Sequence, residues 1–424
     1  MSTIHLRVLL AVAVSVITLL VVVAVQAKPV WYPETTLYAS GGTQSDEFGT
    51  AVAIEQDTLV VAARLAPAYV FERSGSTWVE RAKLMPDDPP EDIGFIRSVA
   101  ISGDTIAVAA PIAETNIAPG HVNKSGAVYI FTRQGSAWKQ QAKLFPPEPE
   151  AGFHFGYSVA LDHNTLVVGQ QGEPHIFERD PVTATWFYST NLVIPQSPAS
   201  GSSRSFTKLG TPVAISGHTI LVGGTSSLPK SAVAILFERQ SQTSTWTYKQ
   251  ELPFPLPPKA FGGIGGVALQ GNTLLVGASL NGPFSTGSAY IAKRPTASTE
   301  WRQTAKLAPR YTQRPYGLLG LLLDYGFGNR VALKGDYAVV AAVGQQSNFM
   351  GRNSEGEAFL FHRQPRSEYW SQLAKLVPRS DRKEFLPTVS LSDRYVVVGD
   401  PQALNAQGEP TGAVHIFALP TASH

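Results

Sequence analysis

A seven-bladed β-propeller, all-β and built of four-stranded antiparallel blades, is the fold this sequence predicts, on three observations. A set of short phrases recurs seven times; every copy holds four strand-like runs; and a spare outer-strand phrase stands at the front, where the last copy lacks one. The first phrase reads VAIEQDTLVVAA from Val52, VAISGDTIAVAA from Val99 and VALDHNTLVVGQ from Val159. It returns at Val213, Val267, Val331 and Val389, a mean period of about 56 residues. The second reads AYVFER from Ala68, AVYIFTR from Ala127 and HIFER from His175, and ends as AVHIFAL from Ala413. The third begins at Trp: WVERAKL from Trp78, WKQQAKL from Trp138, WRQTAKL from Trp301, WSQLAKL from Trp370.

Each copy then divides into strands A to D. A is the Val-Ala-Ile or Val-Ala-Leu run and B the Thr-Leu-Val-Val run; C is the aromatic run and D starts at Trp. All are short, rich in β-branched and aromatic residues, and bounded by turn residues. The A–B link is tight, and Gly103, Gly217, Gly271 and Gly335 suit the positive φ of a hairpin turn there. The last copy ends at strand C, whereas Trp31–Leu37 at the front matches the outer-strand phrase. The N-terminal strand is therefore expected to pair near Val414–Phe417 and to close the ring as the outer strand of blade 7, which removes an open edge.

Composition bounds the function. The net charge of +2 lacks the basic excess of a nucleic-acid binder, and 43% apolar residues mark a core-forming chain. Cysteine is absent, which excludes disulfides, a thiolate nucleophile and Cys-ligated metal. Residues 1–27 read as a signal peptide: Arg7, an uncharged run from Val8 to Val25, then small residues ending at Ala27. An uncleaved anchor is the alternative. After cleavage, residues 28–424 form one propeller domain with no stable membrane insertion.

Phe-Gly precedes strand A at Phe48-Gly49, Phe155-Gly156, Phe261-Gly262 and Phe327-Gly328. Strand B ends in Val-Gly-Ala or a relative of it, with Pro following at Ala110-Pro111 and Asp400-Pro401. The chain thus resembles the FG-GAP β-propeller proteins of bacteria, which are related to the integrin α-subunit propeller, over about residues 31–418. The resemblance implies a binding or adhesion role. Integrin-type propellers carry calcium loops between strands A and B. Here those links are two or three residues long, too short for the six to eight oxygen ligands calcium takes. No metal and no cofactor is expected, and acids such as Asp57, Asp104 and Asp336 are read as turn formers.

No catalytic motif appears. The Trp residues read as packing anchors, and His175 and His415 occupy equivalent places in strand C. Function is expected on variable loops carried by a rigid scaffold. The long B–C links are 111–125, 343–355 and 400–411; the long D–A links are 195–208 and 308–326. The last is the candidate partner site: Arg310, Tyr311, Arg314 and Tyr316 precede an apolar run containing Leu321 and Leu322. The expected function is a secreted, non-catalytic binding, adhesion or protein-interaction module taking a protein or glycan ligand, located in the periplasm, outside the cell or on its surface. The alternatives are a secreted propeller hydrolase or lyase acting on polysaccharide and a structural surface protein.

Overall fold

The computed structural model describes residues 30–420 except for short internal stretches, the longest being 195–205, 310–325 and 378–386. Residues 1–27, read as a signal peptide, lie outside the described residues, and no described helix is long and apolar enough to cross a membrane.

Seven antiparallel blades follow one another along the chain. Blade 1 is Ala51–Glu55, Thr58–Ala62, Ala68–Ser74 and Thr77–Leu84 as strands A to D; blade 2 is Ser98–Ser102, Thr105–Ala110, Ala127–Gln134 and Ala137–Leu144. Blade 3 is Ser158–Asp162, Thr165–Gly169, His175–Arg179 and Trp186–Asn191; blade 4 is Val213–Ser216, Thr219–Ser227, Lys230–Glu238 and Thr247–Pro255. Blade 5 is Phe261–Gln270, Thr273–Asn281, Ser288–Lys293 and Arg302–Leu307; blade 6 is Phe327–Lys334, Tyr337–Ala342, Glu357–Arg363 and Trp370–Leu376. Blade 7 is Thr388–Leu391, Tyr395–Asp400 and Ala413–Ala418, with Thr35–Leu37 as its strand D.

Closure follows the expected register: Thr35 pairs with Ile416, Thr36 with His415 and Leu37 with Val414. The front segment is split, however. Val30–Trp31 runs parallel to the outer strand of blade 6, opposite Lys375 and Leu376, so Trp31 belongs to blade 6 and not to blade 7. Pro33 lies between the two pairings, and its missing N–H and fixed φ suit a break in the ladder.

No blade buries both faces alone. The apolar residues gather into seven clusters, each shared by two neighbouring blades. Leu59, Val61, Tyr69 and Phe71 of blade 1, for instance, pack with Val397, Val414, Ile416 and Leu37 of blade 7. Blades 1 and 2 share another cluster through Val60, Val70, Val108 and Tyr129. Strand B, internal in every blade, is buried along nearly its whole length, which is why it reads as an almost unbroken aliphatic run.

The recurring phrases each have a job in this packing. The Phe of Phe-Gly is fully buried at Phe48, Phe155 and Phe327, and the Gly takes φ between +90° and +99° at Gly49, Gly156 and Gly328. The glycines let neighbouring backbones touch. A Cβ on Gly399 would stand 2.3 Å from the Gly49 oxygen, and one on Gly277 would stand 2.1 Å from that of Gly328. Phe-Gly of one blade therefore seats on the Gly at the end of strand B of the blade before it.

Phe261-Gly262 departs from this pattern. It lies two residues further from its Val than the other three pairs do, so Ile264 and Gly263 fill the Gly and Phe places. Phe261 pairs along an extended strand A with Asn281 instead.

The Phe-Glu-Arg ending of strand C links blades as well. Arg133 donates to Glu72 of blade 1 at 2.5 Å, Arg239 to Glu178 of blade 3 at 2.7 Å, and Arg294 to Glu238 of blade 4. The same arginines lie over the blade's own Trp, with guanidinium carbons 4.7 Å from the Trp138 ring, 4.4 Å from Trp246 and 5.2 Å from Trp301. Trp is thus an outer-strand anchor, as the sequence suggests. The turn acids differ from expectation: Asp104 and Asp336 hold Arg133 and Arg363 through their side chains rather than capping turn amides.

Candidate functional site at the loop-bearing mouth

Antiparallel blades put their links at two ends. The A–B and C–D turns share the lower end, where the backbone N–H of the residue after strand C, or of the Arg near its end, donates to the second turn residue. Arg73 to Asp57, Arg133 to Asp104, Arg179 to Asn164 and Arg363 to Asp336 are examples. The B–C and D–A links share the upper end, so the five long links found in the sequence emerge at one mouth of the channel. Within them Thr115–Ala118 and His121–Asn123 form a small hairpin, as do Gln346–Ser347 and Arg352–Asn353. Phe206–Thr207 joins the edge of blade 4.

The innermost strand, A, lines the channel. At its lower end the last side chain of A in one blade accepts from the first turn N–H of the next. Glu55 accepts from Gly103 at 2.5 Å, Ser102 from His163 at 3.0 Å, Asp162 from Gly217 at 2.5 Å, Ser216 from Gly271 at 3.0 Å and Gln270 from Gly335 at 2.6 Å. Lys334 continues the belt to Asp393 of blade 7 at 3.7 Å. Polar groups there are spent on one another.

The upper end is different. Two residues before the repeat Val stand Thr50, Arg97, Tyr157, Thr211, Gly265, Asn329 and Pro387. Arg97 Nη2 donates to Tyr157 Oη at 2.7 Å, and its guanidinium carbon lies 4.2 Å from the centre of that ring. Arg330, one position further along in blade 6, donates from Nη1 to the backbone O and to Oδ1 of Asn329, both at 3.0 Å. Blades 2 and 6 are not neighbours, yet the two charges feel each other across the mouth. Burial first, and then the positive charge of Arg97, pull the Arg330 guanidinium down to about 10, so it stays protonated at neutral pH. Arg330 keeps accessible surface while protein surrounds it, as fits a channel wall. Among the described residues neither Arg97 nor Arg330 is in an ion pair. Guanidiniums outside any ion pair, with a phenol beside Arg97, can donate N–H bonds to an oxyanion.

The predicted loop residues Arg310, Tyr311, Arg314, Tyr316, Leu321 and Leu322 all lie outside the described residues. Their link leaves strand D of blade 5 after Leu307 and enters strand A of blade 6 at Phe327, which places both its ends at the same upper mouth. Phe48, Phe155, Phe327 and their glycines form seams between blades and carry no ligand-facing group. Arg97, Tyr157 and Arg330 escape a motif search because they stand two or one positions before the repeat Val, where no residue is constant. Aligning the copies on Val and reading the two positions before it, neither of which holds a constant residue, is the signal that finds them.

The FG-GAP repeat family profile matches residues 31–77, 78–131 and 138–176. No curated protein matches the chain. Among solved structures, a protein from Lactobacillus plantarum is similar at 15% identity and a TM-score of 0.49, over 81% of this chain and 87% of that one.

Proposed function

With the chain an FG-GAP β-propeller protein, we propose that it is a secreted, non-catalytic binding or adhesion module, periplasmic or extracellular, that takes a protein or glycan ligand at its loop-bearing mouth. One observation carries the reading. The polar groups of the lower rim are consumed in a belt between blades, whereas the upper rim, where the five long links leave and enter the blades, presents Arg97 and Arg330 outside any described ion pair. An anionic group of the ligand, a carboxylate or sulfate, is the fitting occupant. Export is supported by the apolar run Val8 to Val25 and the small residues up to Ala27. Screening residues 28–424 on glycan arrays and in pull-downs tests the reading. A retained ligand that survives unaltered is expected, and a chain that retains nothing on either screen overturns it.

The same trio favours one second reading, a polysaccharide hydrolase or lyase. A phenol hydroxyl held by one guanidinium beside another is a proton-transfer group set next to an anion-holding one. Accumulation of shortened chains from an acidic polysaccharide, lost on Tyr157→Phe, would establish it in place of the binding reading.

A further inference from the structure

The first ring of strand C sits at one repeat position: Tyr69, Tyr129, His175, Tyr290, Phe359 and His415 all face the same Val of strand B. In three copies the Lys of Ala-Lys-Leu, directly opposite on strand D, covers that ring. Lys83 lies 5.5 Å from the Tyr69 ring, Lys143 5.7 Å from Tyr129 and Lys306 5.7 Å from Tyr290. In blade 7 Thr36 of the closing strand covers His415, with Oγ1 3.0 Å from Nδ1. Blade 3 breaks the series. Asn191 stands opposite His175 and turns away to donate to Glu173. Where the lysine would lie, a cleft of about 460 Å³ opens, walled by Glu148, Glu150, Phe153, His175, Tyr188 and Asn191. His175 is only 9% exposed, and both its ring nitrogens lack a partner.

We propose that this cleft on the outer rim, apart from the channel mouth, is a docking site for a lysine side chain of a protein partner, which takes the place of the lysine that blades 1, 2 and 5 supply themselves. The chemistry of the wall fits an ammonium. The His175 ring packs edge-on against Phe155, with Tyr188 on another side, so the lining is aromatic. Glu148 and Glu150 are exposed at the rim, and neither has an ion-pair partner among the described residues. Glu173 and Glu148 both bear on the Tyr188 hydroxyl, which burial and their charge hold above its ordinary range; the field in the cleft is therefore negative. Burial keeps the His175 imidazole neutral by pulling it down to about 4, so it brings no positive charge against an ammonium at neutral pH.

The test is calorimetric titration of residues 28–424 with a blocked Gly-Gly-Lys-Gly-Gly peptide, alongside its Nε-acetylated twin and butylamine. The lysine peptide is expected to bind and to shift the His175 imidazole resonances, and acetylation should weaken binding at least about tenfold. Asn191→Lys, which restores the cover found in blades 1, 2 and 5, should abolish binding and leave the fold intact. The exposed pair Glu148→Gln and Glu150→Gln should weaken it without moving the melting temperature. Equal binding of the acetylated twin, or undiminished binding by Asn191→Lys, overturns the proposal; butylamine binding as tightly as the peptide overturns the assignment to a protein partner.

Discussion

The two ends of the channel are made from the same strand and do opposite things. At the lower end strand A of blades 1 to 5 finishes in a polar side chain that accepts from the next blade's turn, from Glu55 to Gly103 and on to Gln270 and Gly335. Six of the seven A–B links there are two-residue turns, with positive φ at Gly103, Gly217, Gly271 and Gly335, and also at Gln56 and His163. At the upper end the same strands begin with residues of unrelated chemistry, two of them guanidiniums with no acid, and the links are long. One rim is occupied with holding the ring, and the other keeps its guanidiniums out of ion pairs, which is what the proposed ligand site rests on. Side chains that satisfy each other stabilise; like charges kept unpaired do not, and they persist where something else is to meet them.

The contrast between the rims can be broken or sharpened by mutation. The largest effect is expected from deleting residues 28–38, which strips strand D from blade 7, uncovers His415 and exposes a strand edge. Aggregation and loss of cooperative melting should follow, and a truncated chain that melts unchanged would disprove closure by this strand. Next comes Arg239→Gln. This side chain is 1% exposed and joins Glu178, Thr165 and the Trp246 face. Glu178 would keep the Thr165 hydroxyl but lose its cation, which should cost about 3 kcal/mol in chemical denaturation.

An acid titration probes the buried histidines. His175 and His415 are each drawn down to about 4 by burial, against an ordinary 6.5, so between those values the unfolded chain takes up protons that the native chain does not. Stability should be complete above about pH 6.5 and should decline toward pH 4, by up to about 3 kcal/mol for each ring. A flat stability profile across that window would show that the rings are not held neutral. Asp162→Ala, which opens the lower belt at Gly217, should cost about 1–2 kcal/mol. The smallest effect is expected at the upper rim. Arg97→Ala with Arg330→Ala should leave stability within about 0.5 kcal/mol, because no ion pair is lost and a repulsion is relieved. A marked loss there would erase the distinction between the rims.

Most of the architecture was legible in the sequence because packing between blades forces the same residues to recur. Val-Ala-Ile, Phe-Glu-Arg and Ala-Lys-Leu each meet an equivalent neighbour in the next blade or strand, so the same contacts demand the same phrases. Closure was legible for the same reason, since Thr35–Leu37 must cover a strand C that had lost its partner. The split of the front segment was missed because Trp31 looks like the other Trp anchors, while Pro33 ends its pairing early. Phe261-Gly262 was misplaced because strand A of blade 5 carries extra glycines, and the motif recurs two residues early. The mouth residues were invisible for the converse reason. Arg97, Tyr157 and Arg330 come from three blades and share no phrase, so only the ring brings them together. The open cleft at His175 follows from a residue that does not recur, Asn191 in a lysine column.

The most direct test of a ligand at the loop-bearing mouth compares two double variants on the same glycan and peptide arrays. Arg97→Ala with Arg330→Ala alters the upper rim; Ser76→Lys with Ser136→Lys alters exposed C–D turns at the lower end. The upper-rim pair should lose at least about tenfold in binding, as expected when charge-assisted hydrogen bonds are removed. The lower-end pair should bind as the parent chain does. Binding that survives the arginine substitutions and fails with the turn lysines would contradict the account and place the ligand at the opposite end of the ring.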